Sequence, residues 1–187
     1  MDAKKPGKEI LFPQSEELYS YTVDAEGVRM QDNVDPKATI VFGMRPCDVK
    51  SMVLLDNVFK NDQYEDVYYL TRRANTLIVG LGCNEPSATC FCSSMSCGPF
   101  AKEGSDIFLT DIGEAYVVEG ISEKGKELMA KLGLAEASAE ARVKRPNSKK
   151  IRRQMAALTL KVWHTNRAAE LKMHPENSGS ERVWAQS

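Results

Sequence analysis

Histidine is scarce in this sequence, with two in 187 residues, and aromatic residues make up only 7%. Neither His164 nor His174 has a neighbouring donor pattern, so a histidine-based metal site has no support. Long apolar runs are lacking too: no stretch of 18 apolar residues occurs, and no membrane-spanning helix is expected. Residues 1–6 have no apolar signal core, so a cytoplasmic setting is expected, where thiols stay reduced. The net charge of -1 supplies no global field for nucleic acid or an anionic membrane. Neither G-x-G-x-x-G nor G-x-x-x-x-G-K-[ST] is found, which argues against a nucleotide, flavin or nicotinamide site. No spacing suggests a Ser–His–acid or paired-carboxylate centre. There is no internal repeat or low-complexity tract. The remainder, 42% apolar and 27% charged, is ordinary for one globular domain with a core.

The apolar pattern predicts an α/β fold. Residues 38–44 and 76–82 are continuous β-branched runs, the pattern of strands buried on both faces. Between them, Val49, Met52, Val53, Leu55 and Phe59 recur at helical spacing over 48–60. A short aromatic strand is expected at 66–70. Strand–helix–strand order favours parallel pairing with a right-handed crossover. Further on, 106–111 and 115–119 read as a hairpin around Gly113-Glu114 with a type II′ turn. Ser122 is placed to cap a helix over 123–132 that Gly133 closes. The expectation is a small, mostly parallel sheet with flanking helices and a β-hairpin.

Outside this core, residues 1–37 read as an irregular arm with Leu11-Phe12 and Leu18-Tyr19 as docking anchors. The α/β domain covers 38–134, and 135–147 reads as a linker. A helix from Ser148 carries Ile151, Met155, Leu158 and Val162 on one stripe, with Lys149, Lys150, Arg152 and Arg153 in its first turns. A polar tail completes the segment 135–187.

Chemistry concentrates in the cysteines. Cys83, Cys90, Cys92 and Cys97 fall within 15 residues, and 35 residues separate Cys47 from Cys83. Both buried strands run out into cysteine, and sites of open parallel sheets collect at the strands' carboxyl ends. The two stretches are therefore expected to share one site, with the cysteine loop at the carboxyl edge. Pro86, Gly98, Ser87, Ala88, Ser93 and Ser94 suit a loop that curls tightly and exposes amides to sulfur. Phe91 and Met95 are candidates for its apolar screen. Cys47, after Arg45-Pro46 at a helix start, is expected to be favoured as a thiolate by the dipole and the cation. Asp48 is read as the cap of that helix, and Tyr68 and Tyr69 as sheet packing. Arg72 and Arg73 are read either as surface ion-pair partners or as charges that steer an anionic partner or offset cluster charge. The spacing C-x6-C-x-C-x4-C matches neither the ferredoxin run nor paired zinc knuckles. An iron–sulfur cluster leads, with structural zinc, a redox dithiol of Cys90 and Cys92, and merely buried thiols as alternatives.

Phe42-Gly-Met-Arg-Pro-Cys47-Asp, Tyr68-Tyr69 with Arg72-Arg73, and Gly82-Cys83…Cys90-Phe-Cys92-Ser-Ser-Met together resemble one family. It is the iron–sulfur β subunit of cytoplasmic nickel–iron hydrogenases (sulfhydrogenases), with the A subunit of anaerobic sulfite reductase. The resemblance covers roughly residues 8–187. It implies that Cys47, Cys83, Cys90 and Cys92 ligate a [4Fe–4S] cluster, with Cys97 a spare thiol or an alternative fourth ligand. It also implies a non-catalytic electron carrier working between flavin-containing and catalytic metal subunits. The family continues into a ferredoxin-like region with two more cysteine runs that this sequence does not contain, so a truncated product or an excised domain is expected.

Overall fold

The computed structural model describes residues 6–34, 37–87 and 90–143, together with 146, 150, 151 and 154. A 3-10 turn, Gly7–Ile10, opens the chain and is followed by strands β1 (Tyr19–Asp24) and β2 (Gly27–Asp32). Next come β3 (Thr39–Met44), α1 (Pro46–Phe59), β4 (Lys60–Asn61), β5 (Tyr64–Glu65), α2 (Val67–Ala74) and β6 (Thr76–Leu81). After the cysteine loop follow β7 (Ile107–Asp111), β8 (Tyr116–Gly120), α3 (Glu123–Leu132) and α4 (Ala139–Val143).

The central sheet has the order β3-β6-β7-β8, with β3/β6 and β6/β7 parallel and β7/β8 antiparallel. This is the mixed α/β, mostly parallel arrangement that the two β-branched runs lead one to expect, but β3 is an edge strand and is not buried on both faces: Ile40 and Phe42 are 63% and 74% exposed. Val41 sits opposite Ile78, and the register slips between Phe42 and Met44, where Gly43 adopts φ +79. Because successive side chains alternate between faces, the sheet supports two apolar layers. One joins Val41, Met44 and Ile78 to Val49 and Met52 of α1, Tyr69 of α2 and fully buried Leu11. The other joins Val79, Ile107 and Leu109 to Val118 and to Leu128 and Met129 of α3.

Two further expectations are corrected. Residues 66–70 do not form a strand: Asp66 accepts the Tyr69 N–H at 2.7 Å and starts α2. Aromatic strand propensity loses here to an N-cap and to burial. Tyr69 is buried against α1, donating to Asp56 Oδ1 at 2.6 Å and stacking on Phe59 with centroids 4.5 Å apart. Its packing is against a helix rather than within a sheet. The N-terminal arm is not irregular throughout, since β1 and β2 pair as an antiparallel hairpin with Tyr21 opposite Met30. Leu11 anchors as expected, but Leu18 and Tyr19 are exposed. Between β7 and β8 the chain turns around Gly113-Glu114 as expected: Ile112 N donates to Ala115 O at 3.0 Å, and Gly113 has φ +102. Asp111 Oδ1 accepts the Gly113 N–H at 2.8 Å and supports the same turn from the side.

Ser122 accepts the Gly125 N–H at 3.1 Å, and Gly133 is left-handed with φ +58, so both ends of α3 match the sequence reading. Arg72 pairs with Glu16 and donates to Leu11 O at 2.9 Å, and Arg73 pairs with Asp56 at 3.1 Å. Within the stretch read as a linker, α4 forms, and Ser138 Oγ accepts the Ala141 N–H at 3.2 Å. Of the basic amphipathic helix, Ile151 is buried. Lys149, Arg152, Arg153, Met155, Leu158, Val162, both histidines and the polar tail lie outside the described residues. No described helix is long and apolar enough to cross a membrane.

Candidate cysteine site

The site grows from the carboxyl ends of β3 and β6. Past Met44 the chain turns at Arg45, the N-cap of α1, with Pro46 at the first helical position. Pro is favoured there because its missing N–H has no helical partner to lose. Arg45 makes no side-chain capping bond. The N-cap is Arg45 and not Asp48, which lies in the first turn and donates its N–H to Arg45 O at 2.9 Å. Cys47 is exposed on that same turn.

From β6 the chain enters the loop through Gly82, whose N–H extends the ladder to Leu109 O at 2.8 Å. Cys83 N donates to Pro99 O at 2.8 Å and ties the two limbs of the loop together. Between them, Cys90 N donates to Ser87 O and Ser87 N donates to Cys90 Sγ, each at 3.1 Å. A 3-10 turn, Cys92–Met95, follows and ends at Ser96, which is left-handed with φ 52. The Cys97 N–H then closes onto Cys92 O at 3.0 Å.

The result is a pocket of thiols. Cys83, Cys92 and Cys97 are buried together with Ile151, and Cys90, Phe100 and Ala101 pack against them. The screen expected of Phe91 and Met95 is not there: both are exposed, at 61% and 50%. The 3-10 turn directs Cys92 inward and leaves its neighbours outside, and Phe100, Ala101 and Ile151 fill the space instead. Nothing in the local sequence marks Phe100 for that task, because its role depends on the loop folding back from Cys97. The spare thiol of the sequence reading, Cys97, lies inside the pocket and not apart from it. Among the described residues, no group of three His, Cys, Asp or Glu side chains is arranged to hold a metal ion.

The electrostatics also depart from expectation. Arg45 Nη1 donates to Cys83 Sγ at 2.9 Å, bridging the ends of two parallel strands, so the cation is placed on Cys83. The Cys47 thiol is pushed up to about 11, first by desolvation and then by the Asp48 carboxylate and the Cys92 and Cys97 sulfurs. The Asp48 backbone N–H on its sulfur acts the other way and is outweighed. The expectation of a thiolate-favouring helix terminus at Cys47 is thereby corrected. At neutral pH this sulfur is a thiol, and iodoacetamide should modify it in metal-free protein roughly one hundredfold more slowly than an ordinary cysteine. The rate should climb with pH towards about 11. Mass spectrometry of the Cys47 peptide across pH 7–10 checks this, and rapid modification at pH 7 would contradict it.

No family model and no solved structure matches the sequence. Sulfhydrogenase 2 subunit beta of Pyrococcus furiosus is 38% identical over 90 residues, which are 48% of this chain and 26% of that protein. The matched span is shorter than the residues 8–187 of the expected resemblance, and the chain spans about a quarter of that relative's length. Within that span, the chain is related to a hydrogenase β subunit.

Proposed function

We propose that this chain is an electron-transfer module of a multisubunit oxidoreductase, hydrogenase or sulfite reductase in type, holding a [4Fe–4S] cluster on Cys47, Cys83, Cys90 and Cys92. The observation that carries this reading is the shared burial of Cys83, Cys92 and Cys97 with Cys90 beside them, at the carboxyl end of β6. The donors of that pocket are soft thiols, its other members are apolar, and such a set suits an iron–sulfur group. When bound, the group supplies one-electron chemistry.

The chain's own residues do the rest. Arg45 holds Cys83 Sγ with a charge-assisted hydrogen bond. The Ser87 and Asp48 amides point at Cys90 and Cys47, and such contacts tune a ligating sulfur. Phe100, Ala101 and Ile151 keep water away from the buried thiols. No catalytic residue is assigned. The relative's name, a β subunit, supports a chain that works beside other subunits; the partners proposed are a flavin-containing subunit and a catalytic metal subunit. A cytoplasmic location follows from the same reading.

Protein purified without oxygen and supplied with iron and sulfide should contain about four of each per chain. Replacing Cys83 or Cys90 with Ser should remove most of both. One zinc and no iron would overturn the electron-transfer reading and favour a structural module. Thiol–disulfide activity that survives chelation would favour a dithiol of Cys90 and Cys92.

A further inference from the structure

Four thiolates suffice for such a group, yet this chain brings five cysteines to one end of its sheet. We propose that Cys97 is a working ligand, interchangeable with Cys47 in completing a set built on Cys83, Cys90 and Cys92. The inference rests on the metal-binding reading above and concerns which sulfurs serve it.

Three observations separate Cys97 from a bystander. It is 4% exposed, against 5% for Cys83 and 8% for Cys92, and it shares their pocket. Its N–H is fixed to Cys92 O at 3.0 Å, so the two cysteines form the ends of one closed turn. That turn is completed by Ser96 in a left-handed conformation, and Ser96 is the one non-glycine residue with positive φ among those described. A serine held there costs on the order of 1 kcal/mol, a cost that persists only where the surrounding structure fixes it. Here it delivers the next residue, Cys97, into the pocket.

Cys47 is the natural competitor. It comes from a different element, the first turn of α1, and it is the exposed member of the five. Cys47 stands two residues after Arg45, whose Nη1 reaches Cys83 Sγ at 2.9 Å, so the first turn of α1 begins beside the pocket. An exposed ligand on the rim is the one most easily exchanged with water or with a neighbouring thiol. Among the described residues, the hydrogen bond of the Cys97 sulfur is a long one, from Sγ to Gly98 O at 3.8 Å, a weak contact that a metal could displace.

The test compares wild type, Cys47→Ser, Cys97→Ser and the double variant, each reconstituted anaerobically with iron and sulfide. Iron and sulfide per chain and the EPR spectrum of the reduced state are the readouts. Each single variant should keep at least three quarters of the wild-type iron, with spectra that differ from each other. The double variant should lose most of it. The proposal is overturned if Cys47→Ser alone empties the pocket while Cys97→Ser matches wild type in iron and spectrum. It is equally overturned if Cys97→Ser alone empties the pocket, or if the double variant stays loaded. Circular dichroism verifies folding, and Cys97→Ala replaces any serine variant that fails it. Should wild type take up zinc and no iron, the electron-transfer reading fails, and zinc content across the same four proteins still decides the ligand question.

Discussion

Gly125→Ala should destabilise the protein by about 3 kcal/mol, lowering the thermal midpoint by roughly 10 °C. The usual expectation runs the other way. Within a helix, alanine is favoured over glycine by nearly 1 kcal/mol, and Gly125 lies in the first turn of α3. The environment reverses the sign. A Cβ at position 125 would fall 1.9 Å from Asp106 O and 2.7 Å from the Asp106 carbonyl carbon. Both are backbone atoms and cannot rotate away, so α3 itself must lift.

That movement would disturb a junction of several bonds. The Asp106 carbonyl accepts the Ile121 and Ser122 N–H groups, and its carboxylate accepts the Ile78 N–H and the Ser122 hydroxyl. Asp106 thus joins β6, the start of β7 and the cap of α3, and it is buried. Leaving such groups without partners costs about 1–3 kcal/mol each. Thermal unfolding followed by circular dichroism reads the change. A midpoint equal to or above wild type would show that α3 does not approach Asp106 so closely.

Most of the fold was legible where burial and local chemistry agree. The run at Thr76–Leu81 is β-branched and largely buried, and α3 carries both of its capping signals, whereas Thr39–Met44 has the same composition but is buried on one face only. Legibility failed where one signal opposed another. Val67, Tyr68, Tyr69 and Leu70 have the composition of a strand, and only the Asp66 cap, a single residue, argues for a helix. The hairpin of β1 and β2 did leave a trace. Tyr19, Tyr21 and Val23 alternate with Ser20, Thr22 and Asp24, and Gly27 follows with φ +133. Its apolar positions are exposed, however, so no core residue marks it out.

The site divides along the same line. That Cys47 and the cysteine loop meet at one edge could be argued from strand order, because parallel strands put their carboxyl ends together. Which side chain touches which sulfur could not. Arg45 and Cys83 are 38 residues apart, and the contact depends on the register that sets Met44 beside Gly80. Phe100 and Ile151 screen the thiols through tertiary packing, and no periodicity near the cysteines announces it.

Arg45→Met should lower the reduction potential of the loaded protein by roughly 50–100 mV. The substitution keeps most of the side chain's length and apolar stem while removing its charge and its donor. Net, a hydrogen bond to a charged group contributes about 1.5–3 kcal/mol. For a one-electron couple, 59 mV corresponds to a tenfold change in equilibrium, or about 1.4 kcal/mol. Only the part of the bond that strengthens on reduction moves the potential, which sets the estimate near the lower half of that range. The sign follows from charge: the guanidinium on Cys83 Sγ favours the more negative, reduced state, so its loss makes reduction harder. Arg45→Lys should fall in between, since an ammonium keeps the charge but not the planar donor geometry. An EPR-monitored redox titration measures all three proteins. A potential unchanged in Arg45→Met, with iron content intact, would mean that Arg45 leaves Cys83 once metal binds, and its contribution would then be confined to assembling the empty pocket.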